Sequence, residues 1–140
     1  MTTETIKNLV RRYYEEVVST GDVSRIAEFI APTYTEVHAG TRHELGLDGA
    51  REHVLGVRRT YDNLEIRVGR QIAEGEWVAS CITARGRHTG EWMGIRPTGK
   101  DLEFHGVNVD HVVGGKIAEH SGAADLLTPL LKAGAVLAAG

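Results

Sequence analysis

The chain has 140 residues, a net charge of -3, and 41% hydrophobic and 25% charged residues, which suits one domain around a single core. The acidic balance offers no basic footprint for nucleic acid and no polybasic stretch for an anionic membrane surface. A single cysteine excludes an intrachain disulfide and a cysteine-based zinc site. With neither a signal-peptide core nor a transmembrane-length apolar run, a cytoplasmic protein without a membrane partner is expected.

In chain order, Ile6, Leu9, Val10, Tyr13, Val17 and Val18 recur at three- and four-residue spacing. They predict a helix capped by Thr3 or Thr5 and stopped at Gly21-Asp22. VSRIAEFI predicts a short second helix, ended by Ala31-Pro32. YTEVHAGTRHELG is turn-rich, and a third helix is expected from about Leu47 to Tyr61, with Val54, Val57 and Tyr61 on its apolar face. From Asp62 the period becomes two, with Leu64, Ile66 and Val68 alternating and Glu74-Gly75 reading as a turn. EWVASCITARGRHTGEWMG reads as a long strand bent near Gly86 or Gly90, with Cys81 expected in the core, and IRPTGK reads as a turn. FHGVNVDHVVGGKIAEHSGAAD predicts a hairpin across Gly114-Gly115. The final DLLTPLLKAGAVLAAG starts as a helix if Pro129 lies in its first turn. Helices followed by antiparallel strands give the α+β class, with one domain spanning residues 1–140. A curved sheet packed with three helices on one face would leave a cone-shaped cavity.

Strict alternation along the last hairpin puts His105, Val107, Val109 and His111 on one face and Phe104, Gly106, Asn108 and Asp110 on the other. After the turn, Ile117, Glu119 and Ser121 point one way, and Lys116, Ala118, His120 and Gly122 the other. Glu119, sharing the face of Ile117, is therefore expected inside. Desolvation there would raise its pKa, and a nearby histidine could share its proton, an arrangement suited to acid-base catalysis. The other reading is that twist or an edge position lets Glu119 reach water. His88, alternating with Gly86 and Gly90, could point into the cavity or be a hydrogen-bonded structural residue. Adjacent Tyr13 and Tyr14 should face different sides of the first helix, one in the core and one towards a ligand. His38 and His43 flank a Gly-Thr turn and His53 lies on a helix. Dispersed in this way and without HxH or HExxH spacing, they predict no metal site. No nucleophile elbow, phosphate loop or dinucleotide fingerprint is present.

The segments YYEEVVSTGD, the Ala-Pro-x-Tyr element, HTGEWMG, PTGK and GKIAEH before Leu126-Leu127 resemble the SnoaL-like polyketide cyclase (ester cyclase) family, within the nuclear transport factor 2-like superfamily of α+β cones. The resemblance implies a cofactor-independent intramolecular aldol closure of an aromatic polyketide, with no metal. It implies His105 and Glu119 as the catalytic pair on neighbouring strands. Beside that pair, Tyr14, His38, His88 and Trp92 are candidate substrate-binding residues, with Asn108, Asp110 and His120 in reserve on the opposite faces. The implied partners are a hydrophobic, polyketide-like substrate and further copies of the chain, as a homodimer or homotetramer joined by the outer sheet face. One departure is the segment EHSGAAD, where the family often carries an ExW pattern. Ser121 and Gly122 at that place are expected to enlarge or reshape the pocket. Other readings are a hydroxylase or isomerase on the same fold, or a non-catalytic binding or dimerisation module. Catalysis by the implied pair requires His105 and Glu119 within hydrogen-bond reach in a closed cavity.

Overall fold

The computed structural model describes residues 1–139 and has the α+β order that the change of hydrophobic period predicts. Helix α1, Thr3–Arg12, is capped by Thr2, whose hydroxyl accepts the Thr5 N–H at 3.1 Å. It buries Ile6 and Val10 and runs into a π-helical turn, Tyr13–Val18. The wider winding of that turn changes which side chains face the core. Tyr13 and Tyr14 are both buried, at 6% and 5% exposure, so the expectation that they face different sides is corrected.

A 3₁₀ turn, Val23–Arg25, leads into the short helix α2, Ile26–Phe29. The segment read as turn-rich contains most of strand β1, Ile30–His38, and all of β2, Thr41–Glu44, joined across Ala39-Gly40. The second partner of β1 is the distant strand β6, which it joins in parallel, a pairing that local pattern does not reveal. Helix α3, Gly46–Thr60, precedes strands β3, Tyr61–Glu74, and β4, Trp77–His88. The extended stretch expected to continue past His88 instead becomes a loop pinned back on the strand by Gly99 N–H donating to the His88 carbonyl at 2.8 Å. Strands β5, Asp101–Val113, and β6, Lys116–Asp125, follow, and then helix α4, Leu127–Ala133, with Pro129 in its first turn.

The sheet order is β2-β1-β6-β5-β4-β3, antiparallel at every pairing except β1–β6. Its bulges add curvature, and the helices close over the concave face to form the cone. Ile6, Val10, Val17, Ile26, Phe29, Val78, Val112 and Ile117 form the main core beneath them. Leu102 and Phe104 form a second cluster with Leu130 and Ala133, which docks α4. Gly114 and Gly115 have φ of 57° and 78°, the positive pair that a two-residue type I′ hairpin turn requires.

One irregularity determines the site. On the β5–β6 pairing Val112 faces Ile117, but the preceding His111 faces Glu119, so Ala118 is left without a partner. This β-bulge reverses the alternation of β6. Ile117 and His120 therefore share the inner face, and Glu119 turns outward. On β4, Val78 and Ser80 are fully buried, which sends the intervening and following residues outward. Cys81 is exposed on that outer face rather than in the core. Among the described residues, no helix is long and apolar enough to cross a membrane.

Candidate active site

Three neighbouring strands each send one ionisable side chain from matched register onto the inner face. His120 of β6 lies opposite Asp110 of β5 on one side and Glu36 of β1 on the other. The result is a row of acid, base and acid across the concave surface. Asp110 is 1% exposed; its Oδ1 lies 2.7 Å from His120 Nδ1, and its Oδ2 accepts the Tyr14 hydroxyl at 2.6 Å. Tyr14 Oη is also 3.2 Å from His120 Nδ1. Both carboxylate oxygens of Asp110 are thus engaged by protein.

Burial opposes a charge on His120, but the Asp110 carboxylate, and Glu36 beyond it, outweigh that penalty and raise its pKa. Burial and the same carboxylate push the Tyr14 hydroxyl far above its ordinary range, so it stays protonated and donates. His120 Nε2 has no protein partner, and among the described residues no buried side-chain nitrogen or oxygen lacks one. That nitrogen therefore borders open space. An imidazole held at Nδ1 by a carboxylate and open at Nε2 can accept or deliver a proton there.

Glu36 anchors a second cluster. Its Oε2 accepts the Tyr34 hydroxyl at 2.8 Å and lies 2.6 Å from His53 Nδ1, while its Oε1 lies 2.8 Å from His38 Nε2. Burial pushes the Glu36 carboxyl up, but the hydrogen bonds and charge of His53, together with Tyr34 and His38, overcome it and leave a pKa of about 2. His43 stands beside His38, with ring centroids 5.8 Å apart. The histidines expected to be dispersed, His38, His43 and His53, are therefore gathered at one edge of the sheet.

A cavity of about 140 Å³ lies between these clusters. Tyr13, Tyr14, Tyr34, Val54, Val57 and Ile66 line it, with Glu36, His53, Asn108, Asp110 and His120 as its polar groups.

The implied catalytic pair lies elsewhere. The His105 side chain is 68% exposed, beside Thr83 and Glu103 on the outer surface. Glu119 pairs with Arg42 at 2.7 Å, on the side opposite His120. The expectation that they meet inside a closed cavity is corrected, because the Ala118 bulge turns Glu119 out and β5 carries Asp110 and Val112, not the His105 face, inward. His88 is 1% exposed and stays outside the cavity, where its Nδ1 accepts the Thr98 N–H at 3.2 Å and holds the loop after β4. Trp92 is 40% exposed on that loop, bridged to Ile95. Ser121 pairs with Val109 on the outer face, so it does not enlarge the cavity, whereas Gly122 packs against the Asn108 side chain. Tyr14, Asn108, Asp110 and His120 line the cavity, and His38 flanks it through Glu36.

The model of the SnoaL-like polyketide cyclases matches residues 8–132. The chain belongs to that family. Within the family, the aklanonic acid methyl ester cyclase AcmA of Streptomyces galilaeus is 32% identical over 116 residues, covering 79% of this chain and 78% of the relative. The nogalonic acid methyl ester cyclase of Streptomyces nogalater is 27% identical over 110 residues, covering 73% and 78%. The cone is shared with TsrD of Streptomyces laurentii, at a TM-score of 0.84 and 20% identity over 97% of this chain and 99% of that one.

Four lining residues with polar side chains are not among the implied site residues: Tyr13, Tyr34, Glu36 and His53. A signal existed for two of them. Tyr34 and Glu36 alternate within YTEVH, the period of a strand with one face inward.

Proposed function

We propose that the chain is a cyclase of aromatic polyketide esters that closes a ring by intramolecular aldol condensation, with His120 as the proton acceptor. The observation that carries this reading is the buried Tyr14–Asp110–His120 chain, which leaves His120 Nε2 open to an otherwise largely apolar cavity. Asp110, with both oxygens occupied, fixes the imidazole orientation and favours the imidazolium that forms. His120 removes a proton from a carbon acidified by adjacent carbonyls. The resulting enolate attacks a second carbonyl of the same molecule, and the proton count closes when the new alkoxide is protonated. The apolar walls hold the chain folded, so that the reacting carbons meet without a bimolecular encounter.

A drug-sized ligand site usually measures about 300 Å³ or more. A cavity of about 140 Å³ therefore encloses the reacting end, with the rest of the substrate lying across its mouth. The substrate class comes from the relatives, two of which are named for methyl esters of aklanonic and nogalonic acid. The outer sheet face, where Ile72, Trp77 and Val107 are exposed, would be covered by a second copy in a homodimer.

The test is to incubate the purified protein with aklanonic acid methyl ester and nogalonic acid methyl ester and to follow ring closure by chromatography and mass spectrometry. Cyclised product at a rate well above the uncatalysed one supports the reading. No acceleration with either ester, alongside unchanged binding of both, favours a binding module.

A further inference from the structure

The proposed reaction moves a proton twice, once off carbon and once onto oxygen, and the cavity contains a second carboxylate-held imidazole that the first step does not use. His53 Nδ1 is fixed at 2.6 Å by Glu36 Oε2. Its Nε2 has no hydrogen-bond partner among the described residues, and the side chain is 42% exposed and lines the cavity. His53 lines the same cavity as His120, from α3 rather than from the sheet, so the two imidazoles approach the space from different walls. Glu36 joins them: it is the register neighbour of His120 on β1 and the hydrogen-bond partner of His53. His38 is bonded to the same carboxylate but does not line the cavity.

We propose that His53, held by Glu36, is a second catalytic residue, the proton donor to the alkoxide that ring closure creates. This rests on the reading of His120 as the acceptor. His120 Nε2 takes the proton from the carbon between the carbonyls. The enolate carbon then bonds to the carbonyl carbon, the carbonyl π pair moves onto oxygen, and the His53 imidazolium passes its Nε2 proton to that oxygen. His53, 42% exposed in its side chain, regains a proton from water, and His120 releases one, so each turnover is proton-neutral. Glu36 Oε2, 2.6 Å from Nδ1, fixes the orientation of the His53 ring towards the cavity. The other titratable groups around this pair are Tyr34 and His38 on β1, His43 on β2, Tyr13 on the π turn, and Asp110 and His120 across the cavity.

Two readouts separate the steps. With aklanonic acid methyl ester in deuterated water, uptake of deuterium at the acidified carbon of unreacted substrate reports proton removal, and product formation reports closure. His53→Gln is expected to keep deuterium uptake within about threefold of the wild type while closure falls by about 10²-fold or more. Glu36→Gln, which keeps the hydrogen-bonding shape but removes the charge, is expected to slow closure by a smaller factor with uptake retained. Unchanged closure in both variants overturns the proposal, as does loss of uptake in parallel with closure in His53→Gln. Retained uptake in His120→Gln overturns the parent reading instead, so the two failures are distinguishable.

Discussion

His120 Nδ1 and Asp110 Oδ1 are 2.7 Å apart at the centre of the concave face, and the carboxylate is buried from water. The pair raises the imidazole pKa above its usual 6.5. The imidazolium is therefore stabilised by folding below pH 6.5, and that stabilisation is lost as pH rises through the raised value. Catalysis has the opposite sign, because a proton acceptor must be neutral. The rate of closure is expected to fall on the acid side of a pKa above 6.5. Asp110→Asn should move that limb to lower pH and reduce the plateau rate, as a pH–rate profile from pH 5 to 9 would show.

Glu36 sets the acid stability. Its carboxyl is held at about 2 in the fold against the usual 4.5. The stabilisation is present above pH 4.5 and is lost as pH falls from about 4.5 to about 2. A shift of this size corresponds to on the order of 3 kcal/mol. Urea unfolding at pH 6 and pH 3 is expected to show a smaller loss of stability for Glu36→Gln than for the wild type.

Much of the fold was legible because it rests on local signals. The stripe from Ile6 to Val18, the alternation of Leu64, Ile66 and Val68, and the Gly114-Gly115 turn each carry their structure in a few adjacent residues. The site was less legible because single insertions govern it. The unpaired Ala118 carries no glycine or proline signal, yet it reverses every side chain after it on β6 and exchanges Glu119 for His120. The π turn likewise brings Tyr13 and Tyr14 inward together. The acid-base row depends on β1 joining β6, a pairing between residues far apart in sequence.

Deleting Ala118 tests its assignment as the extra residue of the bulge. Without it Glu119 follows Ile117 directly, which keeps Glu119 opposite His111 on the outer face and His120 opposite Asp110 on the inner face. The variant is expected to fold and to retain closure activity, because the acid-base row keeps its register. A folded variant without closure activity would show that the bulge does more than set the alternation.

His105→Ala and Glu119→Gln provide the converse. Both side chains lie on the outer side of the sheet, His105 beside Glu103 and Glu119 on Arg42. Surface substitutions away from buried networks usually change stability by within about 0.5 kcal/mol. Turnover in each is expected within about twofold of the wild type, measured as kcat and KM on the same ester.

The most direct measurement is ring closure of aklanonic acid methyl ester by His120→Gln beside the wild type, with the fold of both checked by circular dichroism. Loss of the proton acceptor is expected to lower kcat by about 10²- to 10⁴-fold with KM little changed. A folded variant that closes the ring within about threefold of the wild-type rate would contradict the account.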